Sequence, residues 1–228
     1  MKALVLFSGG VDSTTALALA IDKYGKDNVI ALSISYGQKH DKEIAAANQI
    51  SAYYQVEHLY LDLAKIFVYS DCSLLQHSND EIPHESYQSQ LESNDNNTPV
   101  STYVPFRNGL FLSSGASIAL SKKCNVIYYG AHSDDATGSA YPDCSDVFNN
   151  AMNQAIYEGS GHQLEIQAPF VKMTKADIVK IGLELNVPYE LTWSCYEGDE
   201  KPCGKCATCL DRQAAFLKNG VNDPLLGE

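Results

Sequence analysis

The chain has 228 residues, 45% of them apolar, with 16 Lys+Arg against 28 Asp+Glu and a formal net charge of −12. That length allows one full hydrophobic core, or one plus a small addition, without disulfide staples. The negative surplus disfavours any general affinity for nucleic acid phosphates, and no apolar run approaches the length of a membrane span. The opening run Ala3–Phe7 is too short for the core of a secretory signal, so the chain is expected to be cytoplasmic.

In chain order, short apolar or β-branched runs at Ala3–Phe7, Asn28–Ser35, Glu57–Asp62, Asn125–Gly130 and Leu164–Ala168 predict five strands. Helical spacing lies between them. Leu17, Ala20, Ile21 and Tyr24 follow the first strand at i, i+3, i+4, i+7, and Phe148, Ala151, Met152 and Ala155 form a later set. Thr174 is placed to cap a helix, with Asp177 at the box position, Ile178, Ile181 and Leu185 below it, and Pro188 beyond the end. Strand–helix alternation predicts an α/β fold with a doubly wound, mostly parallel sheet covered on both faces. Ligands of such sheets bind at the carboxyl ends of the strands, where the strand order reverses.

The polar stretch 68–102, rich in Ser, Asn, Asp, Gln and His, is expected to be a lid or a disordered segment. The main α/β domain is expected over 1–192, with 193–228 as a small C-terminal helical appendage that binds metal through its cysteines.

Seven cysteines in a chain expected to carry no leader point to metal ligation rather than a disulfide framework, because four of them crowd together. Cys195-x7-Cys203-x2-Cys206-x2-Cys209 offers four soft ligands within fifteen residues, the donor set of a closed, structural tetrahedral zinc site. An iron–sulfur cluster is the rival occupant.

The other chemical signal is Ser8-Gly9-Gly10-Val11-Asp12-Ser13, which runs from the first strand into a helix. Adjacent glycines let backbone approach an anion, the helix start presents free N–H groups, and the two serines add hydroxyls. It is neither a Gly-Lys-Ser/Thr loop nor a Gly-x-Gly-x-x-Gly fingerprint.

This hexapeptide resembles the pyrophosphate loop of the ATP-pyrophosphatase (PP-loop) enzymes, whose sheet is of the adenine nucleotide α-hydrolase-like type. Further strings narrow the likeness: Tyr36-Gly37-Gln38-Lys39-His40, Tyr103-Val104-Pro105-Phe106-Arg107-Asn108, Gly130-Ala131-His132-Ser133-Asp134-Asp135, Tyr141-Pro142-Asp143-Cys144 and Thr192-Trp193-Ser194-Cys195-Tyr196. With the turn and the thiolates they closely resemble the 7-cyano-7-deazaguanine synthases of the queuosine pathway, from about Leu4 to Phe216. Two departures stand out. The family commonly has Arg where this chain has Ser145, and often Asp-Ser where it has Ala207-Thr208.

The resemblance implies an ATP-dependent ligase that turns 7-carboxy-7-deazaguanine and ammonia into the nitrile, releasing AMP and pyrophosphate. ATP is then expected on Ser8, Gly9, Gly10, Val11, Asp12, Ser13 and Thr14, with adenine at the end of the strand Val29–Ser35. Ser13, Asp12 and Lys175 are the expected catalytic groups, and Mg²⁺ accompanies the phosphates, held by Asp12 directly or through water. Tyr36, Gln38, Arg107, Asn108, Tyr141 and Asp143 are the expected substrate contacts. Cys144 is read as pocket lining, and His40 and His132 as structural histidines before proton carriers. A homodimer with no nucleic-acid or membrane partner is implied. The competing readings are a tRNA-thiolating PP-loop enzyme, which the charge disfavours, and a non-enzymatic zinc module, which leaves Ser8–Ser13 without a purpose.

Overall fold

A computed structural model describes residues 1–39, 42–84, 99–136, 140–198 and 200–226, without the side chains of Asp135 and Ala136. Five parallel strands, β1 (Ala3–Leu6), β2 (Val29–Ser35), β3 (Glu57–Asp62), β4 (Val126–Tyr128) and β5 (Glu165–Gln167), pair in the order β3-β2-β1-β4-β5. All five sequence-predicted strands are present, β4 and β5 shorter at both ends. Around them lie α1 (Val11–Tyr24), α2 (Lys42–Tyr54), α3 (Arg107–Ser121), α4 (Asp146–Gly159), α5 (Lys175–Glu184) and α6 (Ala207–Lys218).

Period-2 alternation along β1 divides the core. Ala3 and Val5 face a layer holding Leu17 and Ala20 of α1, Ala47 and Ile50 of α2, and Ile178 of α5. Leu4 and Leu6 point the other way, with Ile30 and Ile127 from their neighbours, onto Leu112 and Ala119 of α3 and Ile156 of α4. The sheet is therefore doubly wound, as its alternation predicts. Strand order turns back at β1 and β4, so the crevice between their carboxyl ends is the switch point.

Two helices were not legible as periodic stripes. The buried positions of α3 are Gly109, Leu112, Gly115 and Ala119, and those of α2 are Ala46, Ala47, Ile50 and Ser51. Small residues let these helices lie close to their neighbours but leave little apolar signal to count. By contrast, α5 starts as read: Thr174 Oγ1 accepts from Asp177 N, and the Asp177 carboxylate accepts from Thr174 N, completing the capping box.

The C-terminal helix is tied to the first one. Val11 and Ala18 of α1 share a buried cluster with Val179, Tyr189, Ala215 and Phe216. Arg212 is buried in α6 and forks onto Asp223 through Nε and Nη2 at 2.6 and 2.8 Å, while Nη2 also donates to the Tyr189 carbonyl at 3.0 Å and Nη1 donates to Thr192 Oγ1 at 2.7 Å. Within the stretch 68–102, residues 85–98 lie outside the described residues. Its described flanks are packed: Leu74, Leu75 and Ile82 join Tyr36, Phe67 and Val104 in one cluster. Ser73 N donates to the Ser101 carbonyl at 3.1 Å, and Leu75 bridges Gln38.

Candidate active site

The turn after β1 is shaped by close packing. Gly9 has φ +83°, and a Cβ there would sit 2.6 Å from Ala47 N and 2.7 Å from the Glu43 carbonyl of α2. Only glycine fits, for conformation and for space. Gly10 then caps α1 without any side-chain acceptor, which leaves the first amides of the helix for an external anion. The serines cross-link the turn: Ser8 Oγ lies 3.1 Å from Ser13 Oγ, Ser8 N donates to Ser13 Oγ at 3.2 Å, and Gly10 N donates to Ser8 Oγ at 3.3 Å.

A second loop, leaving β4, packs under this helix start. A Cβ at Gly130 would be 3.1 Å from the Asp12 carbonyl carbon and 3.2 Å from Ser13 N, so Gly130 lets the two segments touch. Next to it, buried His132 brings Nε2 to 3.6 Å from Asp12 Oδ2, and Lys175 Nζ, from the first residue of α5, lies 3.2 Å from the same oxygen. Burial opposes ionisation of Asp12, but Lys175 and then His132 outweigh it and hold the carboxyl well below the usual carboxylate range. Its other oxygen, Oδ1, is buried and has no hydrogen-bond partner among the described residues. An ionised carboxylate with one orphaned oxygen is a fitting donor for a hard cation such as Mg²⁺.

These groups open into one cavity of about 230 Å³, whose opposite wall comes from β2, α3 and the C-terminal segment. Ser8, Gly10, Asp12, Ser13, Lys175, Tyr36, Gln38, Arg107, Asn108 and Cys144 all line it. Arg107 enters from the start of α3, where Phe106 takes the left-handed conformation (φ +57°) and its amide is caught by Tyr103 Oη at 2.9 Å. The guanidinium lies over the Tyr36 ring, 5.1 Å from its centroid. The Gln38 Oε1 accepts from Tyr36 N at 3.0 Å, closing the end of β2.

The remaining expected site residues take supporting positions. Thr14 is fully buried and its hydroxyl donates back to the Gly10 carbonyl at 2.7 Å, while the Val11 side chain points into the α1–α6 cluster. Asp143 sits behind the wall, where Oδ2 accepts from Asn108 N at 2.8 Å and so caps α3. Asn108 Nδ2 donates to the Asp143 carbonyl at 3.1 Å and to Cys144 Sγ at 3.2 Å. Tyr141 is buried and shares a 2.6 Å hydrogen bond with Thr102 Oγ1. His40 lies outside the described residues. Lining residues not singled out from the sequence include Ser33, Glu43, Phe111 and Tyr129. Their one signal is position, at or just beyond a strand's carboxyl end or in a helix's first turns.

Ser145, in the place of the family's common arginine, caps α4 by accepting from Phe148 N at 3.1 Å.

The four clustered cysteines converge. All four sulfurs lie within 4.8 Å of one another, and the Cys195–Cys206 and Cys203–Cys209 pairs are each 4.0 Å apart. Tetrahedral bonds of about 2.3 Å put sulfurs about 3.8 Å apart, so the arrangement fits a four-thiolate metal site. Backbone amides of Glu197, Gly198 and Cys203 point at Cys195 Sγ at 3.4, 3.0 and 3.2 Å, the partners a thiolate needs. The site is joined to the turn. Trp193 N donates to the Gly9 carbonyl at 3.0 Å, and Thr208 Oγ1 donates to the Ser194 carbonyl at 2.7 Å beside Cys206.

A parallel sheet whose switch point holds a serine–glycine turn, faced by a lysine from a later helix, defines a PP-loop-type nucleotide fold. A family model described as Queuosine biosynthesis protein QueC matches residues 2–220. The 7-cyano-7-deazaguanine synthase of Archaeoglobus fulgidus is 44% identical over 229 residues, covering 100% of this chain and 91% of that protein. The enzymes of the same name from Thermoplasma volcanium (41%; 98% of this chain, 90% of that one) and Caldicellulosiruptor saccharolyticus (40%; 99% and 95%) are similar throughout. The chain belongs to the QueC family of queuosine biosynthesis proteins.

Among solved structures, NMN synthetase from Francisella tularensis superposes with a TM-score of 0.52 at 16% identity, over 97% of this chain and 78% of that one. The U34-tRNA thiolase NcsA from Methanococcus maripaludis, solved with an iron–sulfur cluster, does so at 0.50 and 17%, over 96% and 66%. At those identities the likeness is one of fold alone. No helix among the described residues is long and apolar enough to cross a membrane.

Proposed function

We propose that this chain is an ATP-dependent ligase that converts 7-carboxy-7-deazaguanine and ammonia into 7-cyano-7-deazaguanine. A carboxylate resists a nucleophile because its charge repels the attack and oxide cannot leave. Attack of a carboxylate oxygen on the α-phosphorus of ATP forms an acyl adenylate and expels pyrophosphate. Ammonia adds to the acyl carbon, AMP departs with that oxygen, and an amide results. A second ATP adenylates the amide oxygen, and loss of a second AMP and the remaining N–H protons leaves the nitrile. Each AMP carries away one substrate oxygen.

The observation that carries this reading is the single cavity lined both by the Ser8–Ser13 turn with Lys175 and by Tyr36, Gln38, Arg107 and Asn108. The α1 amides, the Ser8 and Ser13 hydroxyls and the Lys175 ammonium suit the charge that gathers on departing pyrophosphate. Asp12 is the residue that would hold Mg²⁺, which supplies neutralisation of the phosphates. Arg107 offers a planar fork to the substrate carboxylate, and Asn108, itself held by Asp143, fixes where that fork begins. The cysteine cluster is read as structural Zn²⁺, because four protein thiolates leave no open position for chemistry. Free ammonia as nitrogen donor and a homodimeric assembly rest on the family resemblance.

The test is incubation of the protein with ATP, Mg²⁺, ammonium and 7-carboxy-7-deazaguanine labelled with heavy oxygen in its carboxylate. The nitrile should appear with pyrophosphate and labelled AMP. ADP in place of AMP would reject the mechanism.

A further inference from the structure

Tyr129, the residue after β4, does something the rest of the site does not explain. It is 4% exposed, yet it lines the cavity, and its hydroxyl has no hydrogen-bond partner among the described residues. A buried phenol is ordinarily hydrogen-bonded, and one left unpaired disfavours the folded state. Other unpartnered polar atoms, such as Ser51 Oγ, Tyr54 Oη and Asn149 Oδ1, belong to residues away from the cavity, so among the described residues Tyr129 is the one whose unpaired hydroxyl belongs to a residue of the substrate-side wall.

The alternation along β4 decides which ligand. Tyr128 faces the α1 layer, whereas Ile127 and Tyr129 belong to the opposite layer with Leu112, Tyr141 and Cys144. That is the side from which Arg107, Asn108 and Cys144 reach the cavity, while the α1 start, with its amides, is on the other side. The phenol is surrounded by apolar neighbours with Cys144 and Asp143 nearby, and burial, then these two groups, push its pKa well above the ordinary tyrosine value. It therefore stays protonated and can donate, and an anionic or carbonyl acceptor is the complement of a donor in that setting.

We propose that the Tyr129 hydroxyl is a substrate-positioning donor that binds an acceptor oxygen of the deazapurine and takes no part in holding ATP. The inference rests on the ligase reading above and deepens it, by adding to Arg107 a neutral donor that recognises the substrate. Such a donor also discriminates: an analogue without the acceptor would leave the phenol buried and unpaired.

Tyr129→Phe separates the possibilities, because phenylalanine keeps the ring and removes only an atom with no described partner in the protein. The variant should melt at the wild-type temperature or slightly above it. Binding of 7-carboxy-7-deazaguanine, followed by calorimetry without turnover, should weaken about tenfold. In steady state the KM for the deazapurine should rise by a similar factor while the KM for ATP stays within about twofold, as loss of one substrate hydrogen bond requires. Unchanged deazapurine binding, or a loss of ATP affinity equal to that of the deazapurine, would overturn the assignment. So would a fall in kcat at unchanged KM, which would make the hydroxyl a participant in the chemistry instead of a positioning group. A lowered melting temperature would show that the hydroxyl is bonded within the protein and would equally overturn it. Wild-type protein that bound no deazapurine would sink the ligase reading itself, whereas normal wild-type turnover with an unaltered variant would sink this inference alone.

Discussion

Lys175 Nζ lies 3.2 Å from Asp12 Oδ2, so the first residue of α5 meets the first turn of α1 beside the cavity. Both side chains are mostly covered, at 12% and 24% exposure. Two helix starts, each the positive end of its peptide dipoles, thus converge with a lysine on one point. Asp12 balances that charge in the resting site and holds Lys175 in a fixed position beside the turn.

Asp12→Asn should lower turnover on the order of a hundredfold, since it removes the carboxylate that pairs with Lys175 and that the proposed function assigns to Mg²⁺. The same variant has a pH signature. The folded Asp12 carboxyl is held below its unfolded value of about 3.9, so its stabilisation is present above that pH and is lost as pH falls through the folded value. Denaturation midpoints followed into acid should therefore fall less steeply in Asp12→Asn than in wild type. Parallel acid profiles would mean that the pair contributes nothing to folding.

The cysteine cluster should hold about one zinc per chain. Chelation, or Cys209→Ser, should lower the melting temperature and weaken ATP binding together, because the metal-held segment carries the Trp193 amide that bonds the Gly9 carbonyl. Stoichiometric iron in freshly purified protein would overturn the zinc assignment.

Breaking the buried Arg212–Asp223 fork should be among the most damaging single changes away from the cavity. Asp223→Ala leaves a guanidinium covered on all sides and should cost about 3–5 kcal/mol, read as a shift in the urea midpoint. A double change, Arg212→Met with Asp223→Leu, should recover much of that loss. A double variant as unstable as the single one would show that the bonds to Thr192 and Tyr189 matter more than the ion pair.

Gly9→Ala and Gly10→Ala should part company despite their adjacency. The first sets a Cβ against α2 backbone at positive φ and should destabilise by about 2 kcal/mol or more. At Gly10, φ is −82° and the nearest atoms to a Cβ are 3.4 Å away, so the alanine variant should fold with near-wild-type stability. Equal losses in thermal melts would contradict the close-approach account of the turn.

Much of this molecule is legible without coordinates. Five apolar runs, the Ser8–Ser13 turn, the Thr174 capping box and the cysteine spacing all depend on residues near one another in the chain, and local physics dictates what such patterns form. The order of the motifs was enough to indicate the family. The helices α2 and α3 escaped because their packing stripes are built of Ala, Gly and Ser, chosen for how near a neighbour comes. Nothing in the string Asp143-Cys144 indicates that its carboxylate caps α3 through Asn108 N instead of facing a ligand. Arg212 gave no signal at all, since its partner Asp223 and its acceptors at Tyr189 and Thr192 belong to separate segments.

By itself, then, the chain's order of residues determined the fold class, the serine–glycine turn and the clustered four-cysteine set, because each is a short-range pattern. Which side chains share the cavity, that Gly9 is required by α2 and Gly130 by α1, and that Tyr129 lines the wall with a buried hydroxyl lacking a described partner were decided only by the tertiary structure. The reason is physical: those facts are distances between residues far apart in sequence, and they come into being only when the sheet twists the strand ends together and the helices close over them.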